Sequence, residues 1–153
     1  MMVAAMDKTD SIRKFFTARS FAISGVSRDV RKFGRKVYEA FVERGMRVYP
    51  INPNLSEING AMVYRSISQI EAPVEALVLL NTGDKCIPIV EEAVAKGVTQ
   101  FWIQQKCGSE EVKKYLTDRG VNIITDECIF MWLEPVRGAH KLHRFFRRLF
   151  TRR

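Results

Sequence analysis

A chain of 153 residues, 46% of them hydrophobic, has the size and apolar content of one domain with a packed core, which excludes a disordered polypeptide. Its net charge of +8 suggests a nucleic-acid binder, but seven of the 25 basic residues lie between Arg137 and Arg153, a stretch with no acid, and the remaining 18 face all 17 acidic residues. The body is nearly neutral and the basicity belongs to a tail.

The longest apolar runs are strand-sized, and the first residues lack the basic, apolar and small-residue sequence of an export signal, so the expected location is the cytoplasm. Cys86, Cys107 and Cys128 form neither a CxxC pair nor an even set, which argues against zinc and against a disulfide framework.

Taken in order, Asp10-Ser11 is a candidate cap for a short helix over Ile12 to Thr17. Phe21 to Ile23 then reads as a strand that breaks into small residues at Ser24, Gly25 and Ser27 before a helix from about Lys32 to Arg44, stopped by Gly45. Met46 to Ile51 is a second strand ended by Asn52-Pro53-Asn54, and this strand, helix, strand order favours parallel pairing. A turn-rich segment around Asn59-Gly60 and one helical turn at Ser66 to Ile70 precede the third strand, Ala76 to Leu80. A helix then runs from Asp84 to Gly97, a fourth strand from Thr99 to Ile103, a Ser109-capped helix over Glu110 to Arg119, and a fifth strand over Val121 to Ile124. An irregular return, Asp126 to Pro135, should bury Ile129, Met131 and Trp132.

The alternation predicts an α/β fold: a single Rossmann-like, doubly wound, mainly parallel five-stranded sheet with helices on both faces. The domain should span residues 1–136, followed by a basic amphipathic helix in 137–153, where Leu142, Phe145, Phe146, Leu149 and Phe150 recur at helical spacing. That tail suits docking on the body, on a partner protein or in a homodimer; contact with anionic lipid or with nucleic-acid phosphates is the alternative.

Ligands of such sheets bind beyond the carboxyl ends of the strands. Loop chemistry narrows the choice. NAD favours G-x-G-x-x-G and an acid after the second strand; here Gly25 has no second glycine before Gly34, and the second strand ends in Asn52-Pro53. The first loop instead carries Arg28, Arg31, Lys32 and Arg35, which suit a nucleotide with an additional phosphate.

At these residues the chain resembles the small stand-alone CoA-binding proteins with a Rossmann fold, related to the CoA-binding domain of succinate-CoA ligases. The resemblance rests on Gly25 to Ser27, Gly34, Val48-Tyr49-Pro50-Ile51-Asn52-Pro53, Tyr64 to Ile70, Trp102-Ile103-Gln104 and Asp126-Glu127-Cys128, in consistent order from Ser20 to Glu134. It implies that CoA or an acyl-CoA lies with its pyrophosphate over Gly25, Val26 and Ser27, and with its adenosine flanked by Asn52 and Pro53. The sequence departs from the family at Asn81-Thr82-Gly83, where a more basic stretch is expected, and at Gln105-Lys106-Cys107, where a glycine is expected. The phosphorylated histidine and the second domain of the ligases have no counterpart, which argues against ligase activity.

The candidate cofactor residues are thus Gly25, Val26, Ser27, Arg28, Lys32, Phe33, Gly34 and Arg35 around the first loop, with Asn52, Pro53, Asn81, Thr82 and Gln104 at other strand ends. Several admit a plainer role: the cations as a solvated helix start, Asn52 as the holder of its own turn, and Asn81 and Thr82 as caps of the following helix. Cys128 reads as an inert thiol or, at the ligand edge, as a partner for the CoA thiol. His140 and His143 lie in the tail, so no catalytic constellation emerges. The expected function is non-catalytic binding of CoA or an acyl-CoA; the alternatives are an NADP-type redox sensor and a small acyl-CoA-dependent enzyme.

Overall fold

A computed structural model describes residues 6–133 of the chain. The order of elements is α1 (Lys8–Phe16), β1 (Phe21–Ser24), α2 (Phe33–Glu43), β2 (Val48–Ile51), β3 (Glu57–Ile58), β4 (Ala61–Met62), β5 (Ala76–Leu79), α3 (Cys86–Lys96), β6 (Gln100–Gln104), α4 (Glu110–Thr117) and β7 (Asn122–Glu127). Five strands form one sheet in the order β2-β1-β5-β6-β7, and each neighbouring pair is parallel. The chain therefore steps outward from β1 to β2, then crosses to the other side of β1 for β5. That reversal leaves a crevice at the carboxyl ends of β1 and β5.

Burial follows the two-residue period of the strands. Phe21, Ile23, Val78 and Trp102 join Ile12, Phe15, Val37 and Phe41 in a layer under α1 and α2. Ala22, Leu77, Leu79, Phe101 and Ile103 point the other way, into a layer with Ile67, Val90, Ala93, Val112 and Leu116 under α3 and α4. Every residue of β1, β5 and β6 is buried, the pattern of strands covered on both faces. The Rossmann-like sheet expected from the sequence is the sheet observed.

Boundaries moved where tertiary contacts outweighed local signals. α1 begins at Lys8, so Asp10 and Ser11 lie inside it instead of capping it. The added turn is held by the Ser11 N–H donating to the Asp7 carbonyl at 2.9 Å and by Lys8 pairing with Glu127 of β7 at 2.7 Å. The segment around Asn59-Gly60 is a small antiparallel hairpin, β3–β4, because those two residues accept positive φ (50° and 80°). β7 runs on to Glu127, past the expected end at Ile124, with a register shift opposite Trp102 and Gln104. Ile129 is buried as expected, but Met131 and Trp132 are 64% and 37% exposed and Phe130 is buried in their place. A 3-10 turn over Ile129–Met131 turns successive side chains to different sides, and the Trp132 indole N–H stays outside to donate to Glu127. Ser109 caps α4 as expected, accepting from the Val112 N–H at 3.2 Å. The basic tail lies outside the described residues.

Candidate functional site

The loop from Gly25 to Lys32 is built on two close approaches. Gly25 has φ +99°, and its N–H donates to the Ile51 carbonyl at 3.3 Å, which joins the loop to the end of β2. A Cβ on Gly34 would stand 2.1 Å from the Gly25 carbonyl oxygen, so the start of α2 packs directly beneath the loop and only glycine fits there. Three side chains then fix the loop. Asn52 Nδ2 donates to the Val26 carbonyl at 2.7 Å, Arg35 Nη1 donates to the Arg28 carbonyl at 2.9 Å, and Ser27 Oγ accepts the Asp29 N–H at 3.0 Å. No partner among the described residues takes the N–H groups of Val26 and Ser27. A held loop that presents free amide donors is what an anion requires.

Gly25, Val26 and Ser27 line a cleft of about 520 Å³ at the crevice between β1 and β5. Its apolar floor is Ile51, Ile67, Pro88 and Ile89, and its polar rim includes Asn52, Asn54, Arg65, Ser66, Lys85 and Glu92. Asn81 stands at the back, where its Oδ1 accepts from Ser24 Oγ at 2.7 Å. An apolar slot with a few polar groups at its edge suits a flat, partly polar ligand.

Of the residues singled out in the sequence, the structure brings Gly25, Val26, Ser27, Asn52, Pro53 and Asn81 together in the cleft. Arg28, Lys32, Phe33, Gly34, Arg35, Thr82 and Gln104 are not among its lining residues. Arg35 is only 5% exposed; its Nε pairs with Glu39 at 2.8 Å while its Nη1 holds Arg28, so it positions the loop. Arg31 is clamped by both carboxylate oxygens of Asp29. That guanidinium holds the Asp29 carboxyl below the usual aspartate range. Phe33 packs edge-on against Phe130, with ring centres 5.2 Å apart. Gly34 is the floor of the loop. Thr82 is exposed and makes no side-chain cap. Gln104 is buried, and its Oε1 accepts from the Trp102 indole and from the Ile129 N–H, which ties β6 to the segment after β7.

Arg65, Lys85, Pro88, Ile89 and Glu92 were not anticipated at the site. A signal was present: Lys85, Pro88 and Glu92 stand at i, i+3 and i+7, one face of α3, and the start of that helix borders the crevice. Away from the rim, Cys86 is buried, and burial pushes both its thiol and that of Cys107 upward, opposite to an activated nucleophile. Among the described residues no group of histidine, cysteine and carboxylate side chains could hold a metal. No helix among them is long and apolar enough to cross a membrane.

Fold and cleft together define a Rossmann-like α/β domain with a cleft at its topological switch point. The chain belongs to the CoA binding domain family, whose model matches residues 19–134. It is 33% identical over 127 residues to the alpha subunit of ADP-forming acetate–CoA ligase II of Pyrococcus furiosus, covering 75% of this chain and 28% of that subunit. It is also 25% identical to the protein YneT of Bacillus subtilis over 112 residues, 73% of this chain and 83% of that one. Among solved structures, a conserved hypothetical protein of P. furiosus superposes with a TM-score of 0.69 at 30% identity, covering 74% of this chain and 97% of that one. A hypothetical protein of Pyrococcus horikoshii shares the fold with a TM-score of 0.78 at 24% identity over 90% of this chain and 97% of its own.

Proposed function

We propose that the chain holds CoA or an acyl-CoA in this cleft without transforming it. The pyrophosphate takes the N–H groups of Val26 and Ser27, and the adenine lies on Ile51, Ile67, Pro88 and Ile89 with Asn52 and Pro53 beside it. The observation that carries this reading is the pair of free amides on a loop tethered by Asn52 and Arg35, at the mouth of a slot of ligand size. Membership of the CoA binding domain family supplies the ligand class. The reading of holding, as opposed to catalysis, rests on the sequence, in which both histidines fall in the basic tail and no catalytic constellation emerges. The cysteines are free thiols, which suits a reducing cytoplasm.

Calorimetric titration with CoA tests the loop. Ser27→Glu places a negative charge beside the pyrophosphate, and like-charge contact costs several kcal/mol. CoA affinity should fall by about 100-fold, near 2.7 kcal/mol, while the unfolding temperature stays put. Unchanged affinity would put the ligand elsewhere, and a preference for NADP over CoA would favour the redox-sensor reading.

A further inference from the structure

Of the four cations expected to meet phosphate, Arg31 is engaged with Asp29 and Arg35 with Glu39 and the Arg28 carbonyl, and neither Arg28 nor Lys32 lines the cleft. Two others line the cleft. Arg65 and Lys85 enter it from separate segments, and among the described residues neither is in an ion pair. The backbone under Arg65 is fixed even though its guanidinium is not. Tyr64 is locked to β2 through its N–H to Pro50 and its carbonyl to the Asn52 N–H, both at 2.9 Å, and the Arg65 N–H donates to Gln69 Oε1 at 3.0 Å. Arg65 therefore stands next to the turn that carries Asn52.

Lys85 is the N-cap residue of the 11-residue α3, which has no side-chain cap. A cation at the positive end of a helix is unfavourable unless an anion compensates. Among the described residues the only negative side chain in the lining is Glu92, and it accepts from Ser68 Oγ, in the short 3-10 turn Ile67–Gln69. Asp84, beside Lys85 in the turn that leads into α3, does not line the cleft, so two lining cations face one lining carboxylate. The deficit sits beside the segment that would carry a ribose.

We propose that Arg65 and Lys85 bind a phosphomonoester on the ribose of the bound adenine nucleotide, and so set the cleft's selectivity for ligands that carry one. The inference rests on the nucleotide-cleft reading above. Arginine supplies paired hydrogen bonds to phosphate oxygens and lysine a compact charge. The same chemistry is offered by the 3′-phosphate of CoA and by the 2′-phosphate of NADP, and the two are separated by the ligands chosen.

The test is calorimetric titration of the full chain with CoA, dephospho-CoA, NADP and NAD, for the wild type and for Arg65→Ala, Lys85→Ala and Arg65→Lys. Both side chains are exposed, so the variants should fold. CoA should bind the wild type at least about 30-fold more tightly than dephospho-CoA, from two charge-assisted contacts. Each alanine variant should lose about tenfold for CoA and less than about twofold for dephospho-CoA, with Arg65→Lys in between. A phosphate preference confined to the NADP and NAD pair would uphold the phosphomonoester site and assign it to the 2′ position. Equal loss for CoA and dephospho-CoA, or no loss, overturns the inference, as does a wild type that binds both alike; the cleft reading survives those results. A wild type that binds none of the four overturns the cleft reading and this inference with it.

Discussion

Two hollows of nearly equal size open on this sheet, about 520 Å³ at the crevice between β1 and β5 and about 530 Å³ along the outer edge of β7. Volume does not distinguish them; chemistry does. The crevice lies at the carboxyl ends of the strands, beside the N-terminus of α3 and a loop with free N–H groups. The β7 hollow is lined by Thr117 and Gly120 at the C-terminal end of α4, the negative end of that helix. Two of its polar side chains are engaged elsewhere: Lys113 faces Glu110 and Asp126, and Asn122 donates to Ser11 and Gln100. Nearly equal space with different surroundings is what favours the crevice as the proposed ligand site.

That contrast can be broken most severely at Gly34. Gly34→Ala forces a methyl against the Gly25 carbonyl, and overpacking against backbone costs about 3 kcal/mol. Urea unfolding should show that loss, and CoA binding should fall with the displaced loop. Arg35→Ala comes next. It removes the hydrogen bond to Arg28 and leaves Glu39 unpaired at a half-exposed position, for a loss of about 2 kcal/mol after allowing for solvent screening. Its effect on CoA affinity should persist at high salt, because the residue acts through the loop and not as a free charge.

The β7 hollow supplies the control. Lys14→Ala combined with Lys113→Ala should change CoA affinity by less than about twofold, since both side chains line the β7 hollow and neither lines the crevice; a larger loss would move the site to that edge. The smallest expected effect is a titration. The Arg31 guanidinium is the main cause that lowers the Asp29 carboxyl, so Asp29 should titrate below the ordinary aspartate range by NMR and move up toward it in Arg31→Ala, which keeps the backbone N–H of residue 31 on the carboxylate. A lowered carboxyl stabilises the fold above its unfolded-state pKa, and that contribution disappears as pH falls through the folded-state value.

The sheet was legible because its signals are local and repeated. Continuous apolar runs such as Ala76–Leu79 have few ways to be buried except between two layers, and Ser109 has its acceptor geometry set by the residues just after it. The hydrophobic period also located β1 and the loop behind it. The side chains of that loop were less legible, because charge in a sequence carries no direction. Arg35 turns along α2 to Glu39, four residues on, and away from the cleft. Gln104 looked like a polar residue at a strand end, but its partners, Trp102 and Ile129, are set by the packing of two segments. Arg65 and Lys85 reach the cleft only because β2 and β5 flank β1, which no short stretch of sequence records.

The most direct test of the central claim is an amide NMR titration of the full chain with CoA. The largest shifts should fall on the Val26 and Ser27 amides, followed by Asn52, Arg65 and Lys85, with Lys14, Lys113 and Asn122 unmoved. Shifts gathered on Lys14, Lys113 and Asn122, with Val26 and Ser27 still, would contradict it.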